Sequence, residues 1–275
     1  PLAPPPSPPP SPPPPRHDLQ VTSSTELAQA LLYARVQAVG VAVHVTVAAG
    51  EHFLESTYFN NHTAASELWL IGEPGATIHP MSADQHNILT VAHGALRVHV
   101  SEIRFTGQLK VQRGELRLSG CSIETSNSRS AEPDTAGDDL HEPTVVSIEE
   151  RALSVVGGQA LVEESLLRGP SGGAIGVMMA RLTVIGCTIR DSRASMGGAM
   201  LVYHGANVEV VRSNFTNNSA FRGGGLLVAA GQVNLQNSTL FEQNSAYTGS
   251  AVLLTTLGVL TYTLPAPPGR WLFVP

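Results

Sequence analysis

Four glycine-led segments, Gly172-Gly173-Ala174-Ile175, Gly197-Gly198-Ala199-Met200, Gly223-Gly224-Gly225-Leu226-Leu227 and Gly249-Ser250-Ala251-Val252, start 25, 26 and 26 residues apart. A chain that repeats at this interval cannot close a core within one unit. Two or three short strands leave an apolar face that only the next unit covers, so stacking is obligatory. A second pattern runs in step with the first. The segments LRVHVSEI from Leu96, LRLSGCSI from Leu116, ALVEESLL from Ala160, LTVIGCTI from Leu182, VEVVRSNF from Val208 and VNLQNSTL from Val233 are apolar at positions one, three and eight. Position six is small, in a column Ser101, Cys121, Ser165, Cys187, Ser213, Ser238, and the last column is Ile103, Ile123, Leu167, Ile189, Phe215, Leu240. Alternation that changes parity at one fixed place predicts two short strands joined at a bend, with both sets of apolar side chains turned inward.

The pattern predicts an all-β chain, a right-handed parallel β-helix solenoid of about nine coils with an N-terminal α-helical cap. Stacked about 4.8 Å apart, such coils would make a rod on the order of 40 Å long. An α-solenoid is excluded because the apolar runs are short, rich in Val, Leu and Ile, and separated by glycine pairs. Ser23 and Glu26 are spaced as a capping box ahead of Leu27, Ala30, Leu31 and Ala34, which predicts a helix ending near Gly40. Such a helix would hide the open end of the first coil. The expected division is a Pro/Ser-rich polyproline II linker over 1–18, the capping helix over 19–40, and the β-helix over 41–262. A polar loop over 124–144 interrupts the β-helix, and a Pro-rich tail over 263–275 leads to a further module. The chain starts at Pro1 without a charged-then-apolar leader, and so reads as a fragment or a processed product.

Only 14% of the 275 residues are charged and the formal net charge is −6, which provides no basic surface for a nucleic acid. No apolar run approaches the length of a membrane span, the longest candidate being Ala251 to Leu260. The ten histidines lack ligand spacing, so neither a metal nor a cofactor is expected. Cys121 and Cys187 share a column with the Ser165 coil between them, too far apart for a bridge, and are expected to be small buried core residues.

The GGAI segments, together with the FxxN matches Phe215 to Asn218 and Phe241 to Asn244, resemble the repeats of chlamydial polymorphic membrane proteins and the wider right-handed β-helix superfamily that includes pectate lyases. The likeness implies a cell-surface adhesin, although the chlamydial family's membrane barrel has no counterpart in these residues. Asn at one corner of successive coils can ladder its amide, so Asn218 and Asn244, with the paired glycines, are expected to be structural. The SPPP pattern of residues 1–15 resembles hydroxyproline-rich wall glycoproteins. The ending TYTLPAPPGRWLFVP resembles the lead into ephrin-receptor-like modules.

Sequons at Asn61, Asn214, Asn217 and Asn237 are candidates for N-glycosylation, with Asn61 favoured because an Asn turned inward at the FxxN corner could not be modified. Carbohydrate chemistry on this fold needs gathered carboxylates. The best local cluster, Asp134, Asp138 and Asp139, lies in the polar loop and reads as a solvated surface. The expected function is a noncatalytic extracellular or cell-surface module, monomeric, that binds a surface glycan or protein. The alternatives are a polysaccharide lyase or glycoside hydrolase, and a structural spacer rod.

Overall fold

In the computed structural model, described for residues 15–82, 86–125, 151–255 and 257–262 and the backbone of 271–273, Val, Leu and Ile fall on one side of short strands that stack in parallel ladders. The first face stacks Arg16–Val21, Ala42–Val47, Glu67–Gly72, the second halves of Asn87–Ser101 and Gln108–Ser119, Gln159–Glu163, Arg181–Ile185, Asn207–Val211, Gln232–Gln236 and Val259–Tyr262. The second runs from Gly50–Leu54 through Ala76–Pro80, Arg104–Phe105, Ser122–Glu124, Leu166–Arg168, Thr188–Arg190 and Asn214–Thr216 to Leu240–Glu242. The third runs from Thr57–Phe59 through the first halves of the two long strands to Leu153–Val156, Ile175–Met178, Met200–Tyr203, Leu226–Ala229, Val252–Leu254 and Trp271–Phe273. The result is a right-handed parallel β-helix of about eight turns.

The three faces enclose one continuous core. Its columns are homologous side chains: Val98, Leu116, Ala160, Leu182, Val208 and Val233 on the first face, and Phe105, Ile123, Leu167, Ile189, Phe215 and Phe241 on the second, all buried. Stacking like on like removes the apolar face of each coil from water, which is the main stabilising term in a solenoid. A fourth, shorter ladder of Arg193–Met196, Ser219–Arg222 and Ser245–Thr248 precedes the glycine pairs. Beyond it the chain doubles back. Gly223 is left-handed (φ 65°), and a Cβ there would lie 2.8 Å from Leu227 Cβ on the outer side of the third face. The outward Leu201, Leu227 and Leu253 are thereby buried in a second small cluster with Met178 and Ala229.

The helix spans Ser24–Val36 and buries Leu27, Ala30, Leu31 and Ala34 against the first coil. Ser23 caps it, its hydroxyl accepting from Glu26 N, while the Glu26 carboxylate reaches past the cap to Thr22 N and Oγ1. The helix stops at the C-cap Gln37 and not near Gly40.

Four sequence expectations require correction. Arg16–Val21 is a strand paired with Ala42–Val47, so the linker does not extend to residue 18 and the helix does not begin at 19. Glu124 belongs to the strand Ser122–Glu124 and pairs with Arg168, so the polar interruption starts after it. Leu116 aligns with Val98, not with Leu96, which places Ile103 in the small column and Phe105 in the last one, in place of Ser101 and Ile103. A slip of two residues preserves inward and outward alternation, and Leu96 is itself buried, so hydrophobicity alone does not reveal it. At the other end, Phe215 pairs with Phe241, and Thr239, not Ser238, completes the small column. Asn237 and Ser238 both take left-handed φ, inserting one residue at the bend.

Candidate functional site

From Gly157 onward the corner between the third and first faces is turned by two to four residues per coil, of which Gly157 (φ 80°), Met179 (φ 48°), His204 (φ 50°), Gly205 (φ 73°), Ala230 (φ 52°) and Leu257 (φ 61°) are left-handed. Space is scarce next to two of these turns and open at Gly205. A Cβ at Gly158 would lie 2.6 Å from Val111 Cγ1, and one at Gly231 2.9 Å from Val202 Cγ1. Those two turns stay flush with the backbone, whereas Met179 and Leu257 project from theirs, and an open groove of about 1170 Å³ follows the corner along the solenoid.

One rim of the groove is a column of first-face residues, one per coil. Arg97, Glu115, Gln159, Arg181, Asn207 and Gln232 succeed one another in strand register. Arg97, Gln159, Arg181, Asn207 and Gln232 are exposed. Glu115 is engaged, 2.6 Å from Arg117 Nε and 3.3 Å from Gln159 Nε2. Among the described residues, the side chains of Arg97, Arg181, Asn207 and Gln232 make no hydrogen bond or ion pair, so their donors face solvent. Met179 and Leu257 also line the groove, at corner turns three coils apart, exposed by 55% and 80%. The arrangement can hold an elongated ligand by hydrogen bonds repeated at the coil spacing.

Other columns are already satisfied within the protein. On the first face, Trp69 is stacked between His44 and His99 at ring separations of 5.2 and 3.9 Å, so both of its π-faces are covered and only ring edges reach solvent. Burial lowers the affinity of both imidazoles for a proton, and Glu67, 2.9 Å from His99 Nε2, opposes this. At the second corner, Glu124 lies 3.4 Å from Arg104 and from Arg168, and Arg168 is 3.1 Å from Asp191, which accepts from Asn217 Nδ2 at 2.8 Å. These carboxylates are neutralised along the ladder.

The repeat residues singled out in the sequence fall at two corners. Asn218, fully buried, donates to Ile189 O and to Asn244 Oδ1 and accepts from Ser192 N. Asn244 accepts from Asn218 N and donates to Phe215 O. Ser192 begins the column, accepting from Gly169 N and donating to Arg190 O. Phe215 and Phe241 stack at 4.6 Å beside it. Gly172 and Gly173 are left-handed (φ 100° and 91°), as is Gly197 (φ 58°). A Cβ at Gly198 would strike the Gly224 and Ser219 carbonyls, and one at Gly224 the Ser245 and Ser250 carbonyls.

Asn61, Asn214, Asn217 and Asn237 are all exposed, which corrects the expectation that the FxxN corner turns the Asn of a sequon inward; the inward residue is Asn218. Asp134, Asp138 and Asp139 lie outside the described residues. Cys121 and Cys187 are buried and free, and burial pushes each thiol up to about 11. No group of three or more His, Cys, Asp or Glu among the described residues is arranged to hold a metal ion, and no described helix is long and apolar enough to cross a membrane.

Sequence reasoning missed Arg151. Its guanidinium is wholly buried and donates to the carbonyls of Ile175 (3.2 Å), Gly197 (2.6 Å) and Met196, crossing the glycine turns of the next two coils. A Cβ on Gly173 would collide with it, which adds a second reason for glycine there. Burial lowers its proton affinity to about 9. Nothing in its local sequence marks the role, since the contacts are 24 to 46 residues distant.

The fold and this groove define the chain as a right-handed parallel β-helix with a groove running lengthwise along one corner. The chain matches no protein-family model and no curated protein, so its likeness to the chlamydial repeats rests on the GGAI and FxxN motifs alone. Among solved structures it is similar to the deglycosylated pectin methylesterase of Aspergillus niger, at 10% identity and a TM-score of 0.37, over 90% of this chain and 78% of that one. A match that distant conveys nothing about activity.

Proposed function

We propose that the chain is a noncatalytic extracellular or cell-surface binding module that lays an extended polymer, glycan or polypeptide, along the groove at the corner of the third and first faces. The observation that carries this reading is the rim: side chains from six consecutive coils in one register, with most of their donors unpaired. Hydrogen bonds repeated at constant spacing suit a chain-like ligand, because each coil adds an increment without further ordering of the protein. An extracellular setting is supported by the exposure of all four sequons. Glu115 on the rim and Glu124 and Asp191 on the second face are each held by arginine, which counts against a lyase or hydrolase site at those positions.

Retention on a panel of immobilised neutral and acidic polysaccharides and extracellular glycoproteins tests the reading. The double variant Arg97→Ala, Arg181→Ala is expected to lose retention on whichever ligand holds the native protein, with its circular dichroism unchanged. Equal retention of variant and native protein removes the groove as the binding surface. Glycosidase-sensitive mass at Asn61, Asn214, Asn217 or Asn237 on secreted protein tests the location, and four unmodified sites count against it.

A further inference from the structure

The identity of the polymer follows from the spacing and chemistry of the rim, and so rests on the groove being the binding surface. Rim side chains recur with the coils, about 4.8 Å apart, so alternate coils present theirs at about 9.6 Å. A polyproline II helix advances about 3.1 Å per residue with three residues per turn, or about 9.3 Å per turn. Laid along the groove, it meets alternate coils in nearly constant phase. A β-extended peptide repeats every two residues, about 6.7 Å, and falls out of step with the coils by about 2 Å at each repeat.

The chemistry agrees with the spacing. A proline-rich segment offers carbonyl acceptors and almost no N–H donors. Alternate coils present Arg97, Gln159 and Asn207, all able to donate through guanidinium or carboxamide N–H groups. The one carboxylate on the rim, Glu115, is occupied by Arg117 and Gln159, so the acceptors left on the rim are the carboxamide oxygens of Gln159, Asn207 and Gln232. Met179 and Leu257, three coils apart at the corner, each offer a pyrrolidine ring an exposed apolar contact. We infer that the groove takes a neutral, proline-rich polyproline II segment of another polypeptide, held by donors from every second coil. Residues 1–15 of this chain, PLAPPPSPPPSPPPP, have the composition required and supply the probe.

The test is a fluorescence-anisotropy titration of the full chain with a labelled peptide of that sequence, alongside a Gly/Ser peptide of equal length. Saturable binding of the proline-rich peptide alone is expected. It should weaken at least tenfold in Gln159→Ala, Asn207→Ala and stay unchanged in Thr183→Ala, whose side chain lies two residues along the strand from the rim residue Arg181. Native protein and variants carry the same N-terminal segment, so any self-occupancy is common to all. Absence of saturable binding, equal binding of the Gly/Ser peptide, or no effect of the double variant overturns the inference. If the peptide fails while a polysaccharide is still retained through the Arg97 and Arg181 rim, only the assigned partner falls. If the rim variants alter neither, the groove reading falls with it.

Discussion

At the scale of single residues, the strongest constraints are polar and steric, not apolar. Removing the Asn218 side chain strands Ser192 N–H and the Ile189 carbonyl in a buried corner, each worth about 1–3 kcal/mol when unpaired. Asn218→Ala is therefore expected to lower the urea midpoint well beyond what Thr183→Ala does, as followed by far-ultraviolet circular dichroism. Gly224 and Ser250 are homologous, yet only Gly224 is covered by the backbone of a following described coil. Gly224→Ala should cost on the order of 1–3 kcal/mol as overpacking, against little for Ser250→Ala, in the same denaturation series. Equal costs would show that the following coil gives way. The Asn ladder was legible because the FxxN motif repeats in the sequence. The Arg151 contacts were not, because one arginine among carbonyls from two later coils leaves no periodic trace.

At the scale of the element, period-2 alternation located the inward strands, but it is blind to a shift of two, which is why Leu96 and Val98 were exchanged. The third face was harder to read. Met200–Tyr203 and Leu226–Ala229 are apolar on both sides because the short Arg193–Met196 ladder is folded back beside them, so they read as uninterrupted apolar runs. The groove corner was also hidden, since its signal is small residues and left-handed φ in turns of varying length. The His44–Trp69–His99 column gives the first face a pH dependence. Both imidazoles bind protons less readily in the folded chain than in the unfolded one, mainly through burial. The unfolded state then takes up more protons as pH falls through about 6.5, and stability falls with it. Unfolding midpoints should drop between pH 7 and pH 5, with a shallower slope in His44→Phe, His99→Phe. An unchanged slope would assign the effect to other groups.

At the scale of the whole molecule, each coil touches its neighbours and, apart from the reach of Arg151 to the second coil on, nothing further, so stability is close to a sum over adjacent interfaces and not one global quantity. In Asn218→Ala, amide hydrogen exchange should accelerate in the coils carrying Ile189, Phe215 and Phe241 and stay native-like around Val43 and Leu68. Uniform acceleration would mean that the solenoid opens as one unit. The number of coils was legible to within about one, because the glycine interval sets it directly. With one rim residue per coil at constant spacing, a groove that holds a polymer would act as a ruler. Each added or deleted coil would lengthen or shorten the ligand track by one fixed step without altering its cross-section. Related chains with different coil numbers would then discriminate among polymers by how much of them they can grip.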